Sequence, residues 1–418
     1  MSDFSYRDGA LFAEDVALEA IADEFGTPTF VYSRAAITKQ LASFAEAFSL
    51  VPHELCYSVK ANSNLGILSL VAREGAAFDI VSGGELERVR RAGGDLARVV
   101  FSGVGKQRWE MRMALEAGIA CFNVESTAEL ATLNEVAGEM GLVAPVSLRV
   151  NPDVDPQTHP YISTGLTESK FGIPGEEAMA AYRAANAMPH IRITGIDCHI
   201  GSQITTLSPF LDAYSRLLEL HDALAREGMP IEHIDIGGGM GVTYQDEAPL
   251  DLGQLADGLR QLAGSREFAL KMEPGRSIVA NAGVLLSRVI YRKRNGARAF
   301  AIVDAAMNDL IRPALYEAWQ SVMPVKETGE RGEYLDVVGP VCESGDFLAL
   351  DRKLYLEADD LVAIGGCGAY SFSMSSNYNT RNRAAEVIVD GREVHLVRAR
   401  ESIDDQLRLE TTLPGGSH

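Results

Sequence analysis

The stretch ELCYSVKANSNLGILSLVAREGAAFDIVSG (54–83) decides the fold class, because it joins two short apolar runs through a helix-like segment. The runs ELCYSVKAN (54–62) and AFDIVSG (77–83) have the length and the apolar character of buried strands. Between them, GILSLVARE (66–74) concentrates Leu and Ala on one face, which predicts an amphipathic helix. A strand, a crossover helix and a second strand form the unit of a parallel sheet.

The same alternation continues along the chain for about 220 residues. The eight strand-like runs are ELCYSVKAN (54–62), AFDIVSG (77–83), RVVFSGV (98–104), CFNVES (121–126), PVSLRVNP (145–152), ITGIDCHIGS (193–202), IEHIDIGGG (231–239) and ALKMEPGR (269–276). Eight units favour a closed (β/α)8 barrel of the TIM type, although the pattern alone also allows a doubly wound open sheet. We therefore predict an α/β fold with a barrel over residues 35–280.

The pattern changes after residue 280, where helical periodicity becomes sparse. The new strand-like runs are VLLSRVIYRKR (284–294), RAFAIVDAA (298–306), YLDVVGP (334–340), DDLVAIGG (359–366), AEVIVDG (385–391) and REVHLVR (392–398). These runs predict an all-β C-terminal domain over 281–418. PTFVYS (28–33) precedes the first barrel unit, and we expect residues 1–34 to contribute this strand to the β-rich domain.

Composition and charge narrow the function classes. The 418 residues are 46% hydrophobic and 23% charged, which is ordinary for a globular protein. The net charge of −20 argues against a nucleic-acid partner, because phosphate binding requires clustered Lys and Arg. Five scattered cysteines without a CxxC pair predict neither a disulfide framework nor a metal site. We see no signal peptide and no run of eighteen apolar residues, so we expect a cytoplasmic protein without membrane association.

Polar residues at the ends of the barrel runs are the candidate functional residues, because active sites of such barrels lie at the carboxyl ends of the strands. Lys60 ends the first run; it is either a solvated lysine or an amine in a partly apolar pocket that forms a Schiff base. His199 follows the sixth run and is either a core histidine or a flat ring that stacks on a cofactor. Gly201 and Ser202 come next and suit close approach to a phosphate.

Two further strand ends predict an anion site. Gly237, Gly238 and Gly239 close the seventh run and form either a flexible turn or a nest of backbone N–H groups. The eighth run ends in EPGR (273–276), which is either a surface turn with an ion pair or part of a phosphate site. Loops after the seventh and eighth strands are the usual phosphate site of a barrel.

The β-rich domain adds three candidate segments. IRPALY (311–316) places Arg312 and Tyr316 one helical turn apart, and VCESGD (341–346) sets Cys342 beside Glu343. GGCGAYSFSMSSNYN (365–379) carries Tyr370 in a loop rich in Gly and Ser, which is either functional or a long hairpin connection. A lone cysteine is more often a small buried residue than a catalyst.

Taken together, these motifs resemble the diaminopimelate decarboxylases, enzymes that use pyridoxal 5'-phosphate (PLP) on an alanine-racemase-like fold. The resemblance covers about residues 6–410 and several of its motifs are shared with ornithine and arginine decarboxylases. The motifs that carry it are YSVKAN, FDIVSGGEL, SKFGI, HIGSQ, DIGGGMG, MEPGR, RPALY, GPVCESGD and GAY.

The resemblance implies a role for each candidate residue. Lys60 carries PLP, His199 stacks on the pyridine ring and Glu273 faces the ring nitrogen. Residues around the phosphate or near it are Ser202, Gly239, Gly275, Arg276 and Tyr370. Residues that bind the substrate are Arg276, Arg312, Tyr316, Glu343 and Tyr370. Cys342 protonates the product carbon, and the family expectation is a homodimer in which Cys342 and Glu343 serve the active site of the other chain.

The resemblance also implies the reaction, the decarboxylation of meso-2,6-diaminopimelate to L-lysine and CO2 at the end of lysine biosynthesis. Glu273 favours decarboxylation, because a carboxylate keeps the ring nitrogen protonated and the electron sink strong, whereas racemases tend to place an arginine there. Arg276 and Arg312 suit a distal carboxylate, and Glu343 suits a distal ammonium.

Three other interpretations remain open from the sequence. A related PLP decarboxylase acting on ornithine, arginine or carboxynorspermidine is the first. A catalytically silent PLP-binding protein is the second, although Cys342 argues against it because a carrier needs no acid. A sugar or phosphate enzyme on the same barrel is the third, and it needs no Schiff-base lysine.

Overall fold

The computed structural model describes residues 3–154 and 170–413. Residues 155–169, which include the start of the SKFGI motif, lie outside the described residues. The chain divides into two compact units. Residues 36–281 form the barrel unit, and residues 1–35 with 282–418 form the β unit.

The N-terminal segment contributes strands and one helix to the β unit. These elements are β1 (Phe4–Arg7), β2 (Ala10–Ala13), β3 (Val16–Ala17), α1 (Leu18–Phe25) and β4 (Thr29–Ser33). The first three strands form a small antiparallel sheet of their own.

The barrel unit alternates strands and helices. Its elements in chain order are α2 (Arg34–Ala47), β5 (His53–Ser58), α3 (Leu65–Arg73), β6 (Ala77–Ile80), α4 (Gly83–Arg91), β7 (Val100–Phe101), α5 (Arg108–Ala117), β8 (Cys121–Val124), α6 (Thr127–Met140), β9 (Ala144–Asn151), β10 (Ile173–Pro174), α7 (Gly175–Asn186), β11 (Ile191–Asp197), α8 (Ser208–Arg226), β12 (His233–Asp235), α9 (Leu252–Ala263), β13 (Ala269–Met272) and α10 (Arg276–Val279).

Eight of these strands close a parallel barrel. Each pairs in parallel with the next in the order β5, β6, β7, β8, β9, β11, β12 and β13, and β13 returns to pair with β5. Every predicted run contains one of these strands, so the predicted α/β barrel is confirmed. Closure places the loops after β11, β12, β13 and β5 side by side at one end of the barrel.

Capping residues start several barrel helices soon after the preceding strand. Ser82 accepts a hydrogen bond from the Glu85 N–H at 3.2 Å, and Ser126 accepts from the Glu129 N–H at 3.1 Å. Asn64 caps α3 in the same way. Such caps satisfy N–H groups that have no partner within the helix. They keep the loops short, so that residues at a strand end are held close to the barrel.

The rest of the β unit follows the barrel in the sequence. Its elements are β14 (Gly283–Asn295), β15 (Arg298–Val303), α11 (Arg312–Tyr316), β16 (Val322–Pro324), β17 (Glu333–Val338), β18 (Phe347–Leu354), β19 (Leu361–Ile364), β20 (Ala385–Asp390), β21 (Glu393–Arg398) and α12 (Ile403–Leu407). The large sheet has the strand order β18-β17-β15-β14-β4-β20-β21, and β19 joins it through β14. Within this sheet the N-terminal strand β4 lies between β14 and β20.

Some elements of the β unit have no clear signal in the sequence. β16 and β18 were not predicted, nor were β1 to β3 and α1 at the N-terminus. β16 has only three residues, and the burial of β18 fades toward its charged second half, so neither shows a clear apolar alternation. No helix within residues 3–154 and 170–413 combines the length and the apolar character needed to cross a membrane.

Candidate active site

Lys60 lies in the short turn Val59–Ala61, directly after β5. Its Nζ donates a hydrogen bond to Asp79 Oδ2 at 2.8 Å, and its side chain keeps 33% exposure. Asp79 is fully buried on β6, and its Oδ2 also accepts a hydrogen bond from the Ser58 hydroxyl at 2.9 Å. The amine therefore has a buried carboxylate beside it, where the sequence had suggested partly apolar surroundings. Asp79 therefore holds this amine in place.

Glu273 follows β13 and is buried, with 4% exposure. Its Oε1 accepts hydrogen bonds from Ser102 Oγ at 3.2 Å and Asn123 Nδ2 at 3.1 Å. Burial raises the pKa of this carboxyl well above its usual value, and the charges of neighbouring carboxylates add to the shift. A carboxyl with a raised pKa can share a proton with a neighbouring basic nitrogen.

His199 is half-buried two residues after β11. Its Nδ1 accepts a hydrogen bond from the Gly238 N–H at 3.1 Å, which leaves the other ring nitrogen to carry the proton. Burial lowers the pKa of His199 well below its usual value, and the positive charges of Arg149 and Lys60 act in the same direction. The imidazole is therefore neutral at pH 7, and a neutral flat ring suits stacking.

The glycine triplet brings three loops together. Gly237 and Gly239 have φ angles of 69° and 93°, in the left-handed region that favours glycine. A Cβ at Gly239 would lie 2.3 Å from the Gly201 carbonyl oxygen. The Gly237 N–H donates to Asp235 and the Gly238 N–H donates to His199, so these two amides have partners within the barrel. Of these three glycines, only Gly239 was predicted to lie near the cofactor phosphate.

Gly238→Ala should destabilise the barrel. The added Cβ would lie 2.2 Å from the Glu273 carbonyl oxygen, a backbone atom that cannot rotate away. Such overpacking costs about 1–3 kcal/mol of unfolding free energy, measurable by urea denaturation. Gly84→Ala is the matched control, because its Cβ meets nothing closer than 3.7 Å and alanine is favoured in a helix. Equal stability of the two variants would contradict the close approach of these loops.

Arg276 is buried at the start of α10 and links two loops. Its Nη2 donates to Ser202 Oγ at 3.0 Å, and its Nη1 donates to the Tyr244 hydroxyl at 2.7 Å. Gly275 packs against the turn that carries Lys60, because a Cβ there would meet Ala61 Cβ at 2.8 Å. The predicted phosphate residues therefore adjoin the predicted cofactor lysine.

The barrel unit thus brings all seven of its predicted site residues to one end. These residues are Lys60, His199, Ser202, Gly239, Glu273, Gly275 and Arg276. They fit PLP by their chemistry, since they offer an amine, a neutral ring, a carboxyl with a raised pKa, and a guanidinium beside a hydroxyl and close glycine backbone. Such a set matches an aldehyde, an aromatic ring, a ring nitrogen and a phosphate.

The other predicted residues belong to the β unit. Arg312 begins α11 and is buried, and the Gln320 side-chain oxygen accepts a hydrogen bond from its Nη1 at 2.8 Å. Tyr316 ends the same five-residue helix. The predicted spacing of one helical turn between Arg312 and Tyr316 is therefore present. Tyr370 has a φ of 54°, which places it in the left-handed region.

Cys342 and Glu343 are both exposed on a loop of the β unit. Asp346 holds this loop by accepting the Val341 N–H at 2.7 Å and the Met307 N–H at 2.7 Å. Asn379 Nδ2 donates to Cys342 Sγ at 3.2 Å, and the Tyr378 hydroxyl donates to Glu343. Two adjacent residues of one loop thus meet two adjacent residues of another.

Sequence analysis missed several supporting residues in the barrel. They are Asp79 beside Lys60, Arg149 with Glu125, Tyr244 beside Arg276, and the carboxyls of Asp197 and Asp235. Arg149 Nη2 donates to the His199 carbonyl oxygen at 3.3 Å, so it supports the backbone of the stacking residue. A usable signal was present, since Asp79, Asp197 and Asp235 interrupt runs that are otherwise apolar. A charge is costly inside a strand unless it has a partner or a task.

The fold and the barrel-end residues define a PLP-dependent decarboxylase of the barrel type. Residues 34–280 match the family model described as "Pyridoxal-dependent decarboxylase, pyridoxal binding domain". The diaminopimelate decarboxylase of Pseudomonas aeruginosa is 59% identical over 414 residues, covering 99% of this chain and 100% of that protein. The chain belongs to the diaminopimelate decarboxylase family.

Solved structures agree with this assignment. The diaminopimelate decarboxylase of m. jannaschii, in co-complex with L-lysine, superposes with a TM-score of 0.94 at 37% identity, and the match covers 98% of each chain. The Helicobacter pylori enzyme, complexed with L-lysine, gives a TM-score of 0.91 at 39% identity, covering 94% of this chain and 98% of that one.

Proposed function

We propose that this protein decarboxylates meso-2,6-diaminopimelate to L-lysine and CO2, the last step of lysine biosynthesis. The main support for the proposal is a sequence identity of 59% to a diaminopimelate decarboxylase across 99% of the chain. L-Lysine in two related structures supports the product. The predicted site residues would supply the groups that the reaction requires.

PLP, when bound, draws the electrons left on the α-carbon into its ring. Lys60 is the amine that would hold it covalently, and Asp79 positions that amine at 2.8 Å. His199 would pack on the ring as a neutral imidazole. Glu273 would hold the ring nitrogen and share its proton, which keeps the electron sink strong. Residues proposed for the phosphate or its surroundings are Ser202, Gly239, Gly275, Arg276 and Tyr370.

Two arginines and one glutamate would select the substrate by binding its distal groups. Arg276 and Arg312 would bind the distal carboxylate, for which a planar guanidinium offers paired N–H donors. Glu343 would meet the distal ammonium, and Tyr316 and Tyr370 would complete the substrate site. Ornithine has no distal carboxylate, so it would offer no carboxylate to either guanidinium group. This charge pattern favours diaminopimelate over the related decarboxylase substrates.

Cys342 is the proposed proton donor to the product carbon. Its thiol is exposed, whereas the four other cysteines of the chain are buried. Asn379 holds the sulfur at 3.2 Å, and Asp346 holds the loop, so the thiol is presented in a defined place. The proton would pass from the sulfur to the carbon that has lost CO2.

Product analysis tests the function. The purified, PLP-loaded protein should release one CO2 and one L-lysine for each meso-diaminopimelate consumed. A PLP-loaded protein that releases neither product would contradict the proposal. Borohydride reduction of the same loaded protein before peptide mapping should place the pyridoxyl label on Lys60, and a label on another lysine would exclude Lys60 from this role.

We also propose a cytoplasmic homodimer in which Cys342 and Glu343 of one chain complete the active site of the other. The exposure of both residues on the β unit supports this arrangement, and five free cysteines suit a reducing compartment. Lys60→Ala and Cys342→Ala should each be inactive alone. Mixed together they should regain about a quarter of wild-type activity, since half of the dimers are mixed and each has one intact site. No recovery after chain exchange, verified by mixed-tag capture, would contradict shared sites.

A further inference from the structure

The interior of the barrel contains a cluster of three carboxyl groups, here called the carboxyl cluster, formed by Asp197, Asp235 and Glu273. Barrel interiors are usually filled by Val, Ile and Leu. Here Asp197 on β11 is the register partner of Asp235 on β12, and Glu273 follows the neighbouring strand β13. Carboxylate oxygens of the three residues lie within 4.8 Å of one another, and all three residues are buried.

The cations of the barrel interior are already paired with other carboxylates. Lys60 pairs with Asp79 at 2.8 Å, and Arg149 pairs with Glu125 at 3.0 Å. Lys271 pairs with Glu54. Within the part of the chain that the structure describes, Asp197 Oδ1 and Asp235 Oδ2 accept no hydrogen bond. Among the described residues, the three acidic groups of the carboxyl cluster therefore form no ion pair of their own.

Three adjacent buried carboxylates without such a pair cannot all be ionised, because burial and like charge both disfavour the anion. The pKa of each is raised well above its usual value, first by burial and then by neighbouring carboxylates. Burial also keeps the surrounding histidines and thiols uncharged, since it lowers the pKa of His199 and His233 and raises those of Cys56, Cys121 and Cys198. The charged groups outside the cluster that act on it are Lys60, Arg149, Lys271, Asp79 and Glu125.

We infer that Asp197 and Asp235 each hold a proton at neutral pH and act as positioning residues for Glu273. The inference rests on the proposed function, in which Glu273 serves the ring nitrogen of PLP. With both aspartates neutral, Glu273 is the one member of the carboxyl cluster that exchanges a proton with that nitrogen. One negative charge of the carboxyl cluster would then match one proton on the ring nitrogen.

Infrared spectroscopy of the holoenzyme at pH 7.5 tests the protonation directly. Protonated carboxyl groups give a carbonyl stretch that shifts in D2O, and we expect such bands from Asp197 and Asp235. Asp197→Asn and Asp235→Asn should each remove one band. Glu273→Gln should keep both bands and shift them, because the neighbouring charge changes. Absence of these bands from wild type would overturn the inference, and unshifted bands in Glu273→Gln would overturn the link to Glu273.

Stability against pH gives a second test that does not depend on activity. A carboxyl whose pKa is raised on folding binds more protons in the folded than in the unfolded state, so its contribution to stability falls as pH rises above the unfolded pKa. Asp235→Asn keeps the acceptor for the Gly237 N–H, which lies 2.8 Å from Oδ1, and removes the titration. Relative to wild type, the folding equilibrium constant of Asp235→Asn should rise by up to about tenfold per pH unit above pH 4.

The control for this test is Asp212→Asn, an exposed aspartate on α8. It should show no gain that grows with pH. A pH-independent difference between Asp235→Asn and wild type would overturn the inference. Retention of one equivalent of a divalent cation by the purified holoenzyme would also overturn the inference, because a bound cation would allow the three carboxylates to be ionised. The infrared and stability measurements do not depend on the substrate. The protonation of Asp197 and Asp235 can therefore be confirmed even if the proposed reaction on diaminopimelate is wrong.

Discussion

Glu273→Gln should lower kcat for meso-diaminopimelate on the order of 10²-fold or more, the size expected when one preorganised electrostatic partner is lost. The glutamine side chain keeps an oxygen for Ser102 and Asn123, which lie 3.2 Å and 3.1 Å from Glu273 Oε1. It cannot share a proton with the ring nitrogen as a carboxyl does. The electron sink for the α-carbon is then weaker, so the decarboxylation step slows. Single-turnover kinetics with saturating PLP measure this step.

The same substitution should not unfold the protein. The pKa of Glu273 is raised on folding, so this carboxyl costs stability at every pH above its pKa in the unfolded chain. Glu273→Gln should therefore unfold at the same or a higher temperature than wild type at pH 8. Glu177→Gln, at an exposed position on α7, is the control for activity and stability. Wild-type kcat in Glu273→Gln would show that the reaction does not depend on this carboxyl.

Cys342→Ala should lose about 10²- to 10⁴-fold in turnover, the usual contribution of a positioned general acid. Alanine has no proton to give, and the amide of Asn379 loses the sulfur that it holds at 3.2 Å. The residue is exposed, so the substitution should leave stability nearly unchanged. Cofactor absorbance should persist, because the groups proposed to hold PLP are mostly on the barrel unit. Steady-state assays at matched PLP loading give the result.

Ser344→Ala is the matched control for this variant, since Ser344 is exposed on the same loop two residues further along. It should retain wild-type turnover. If Cys342→Ala also keeps full turnover, the proton comes from another group and Cys342 is not the donor. Loss of cofactor absorbance in Cys342→Ala would instead indicate a structural role for the loop.

The barrel was predictable because each strand and each helix has its own signal in the sequence. Runs such as AFDIVSG and segments such as GILSLVARE have distinct periods, and eight repeats leave few alternatives. β16 and β18 were not predictable in this way. β16 is short, and β18 is half exposed, so pairing with neighbouring strands decides their structure more than local pattern does.

The site was predictable at strand ends and less so inside the barrel. Lys60, His199 and Glu273 occupy positions that the barrel layout marks as functional. The contacts between Lys60 and Asp79, or between Arg276 and Tyr244, join residues 19 and 32 positions apart and depend on the closed fold. A sequence shows that Asp197 and Asp235 are unusual in their strands, but only closure of the barrel shows that their carboxyls meet Glu273.

A substrate panel with product analysis shows which amino acid this protein decarboxylates. The holoenzyme is assayed for kcat/KM on meso-diaminopimelate, ornithine, arginine and carboxynorspermidine under one set of conditions. We expect the highest value for meso-diaminopimelate, with L-lysine and CO2 as products, because only this substrate offers a distal carboxylate together with a distal ammonium for Arg276, Arg312 and Glu343. A higher kcat/KM for any other substrate in the panel would contradict this expectation.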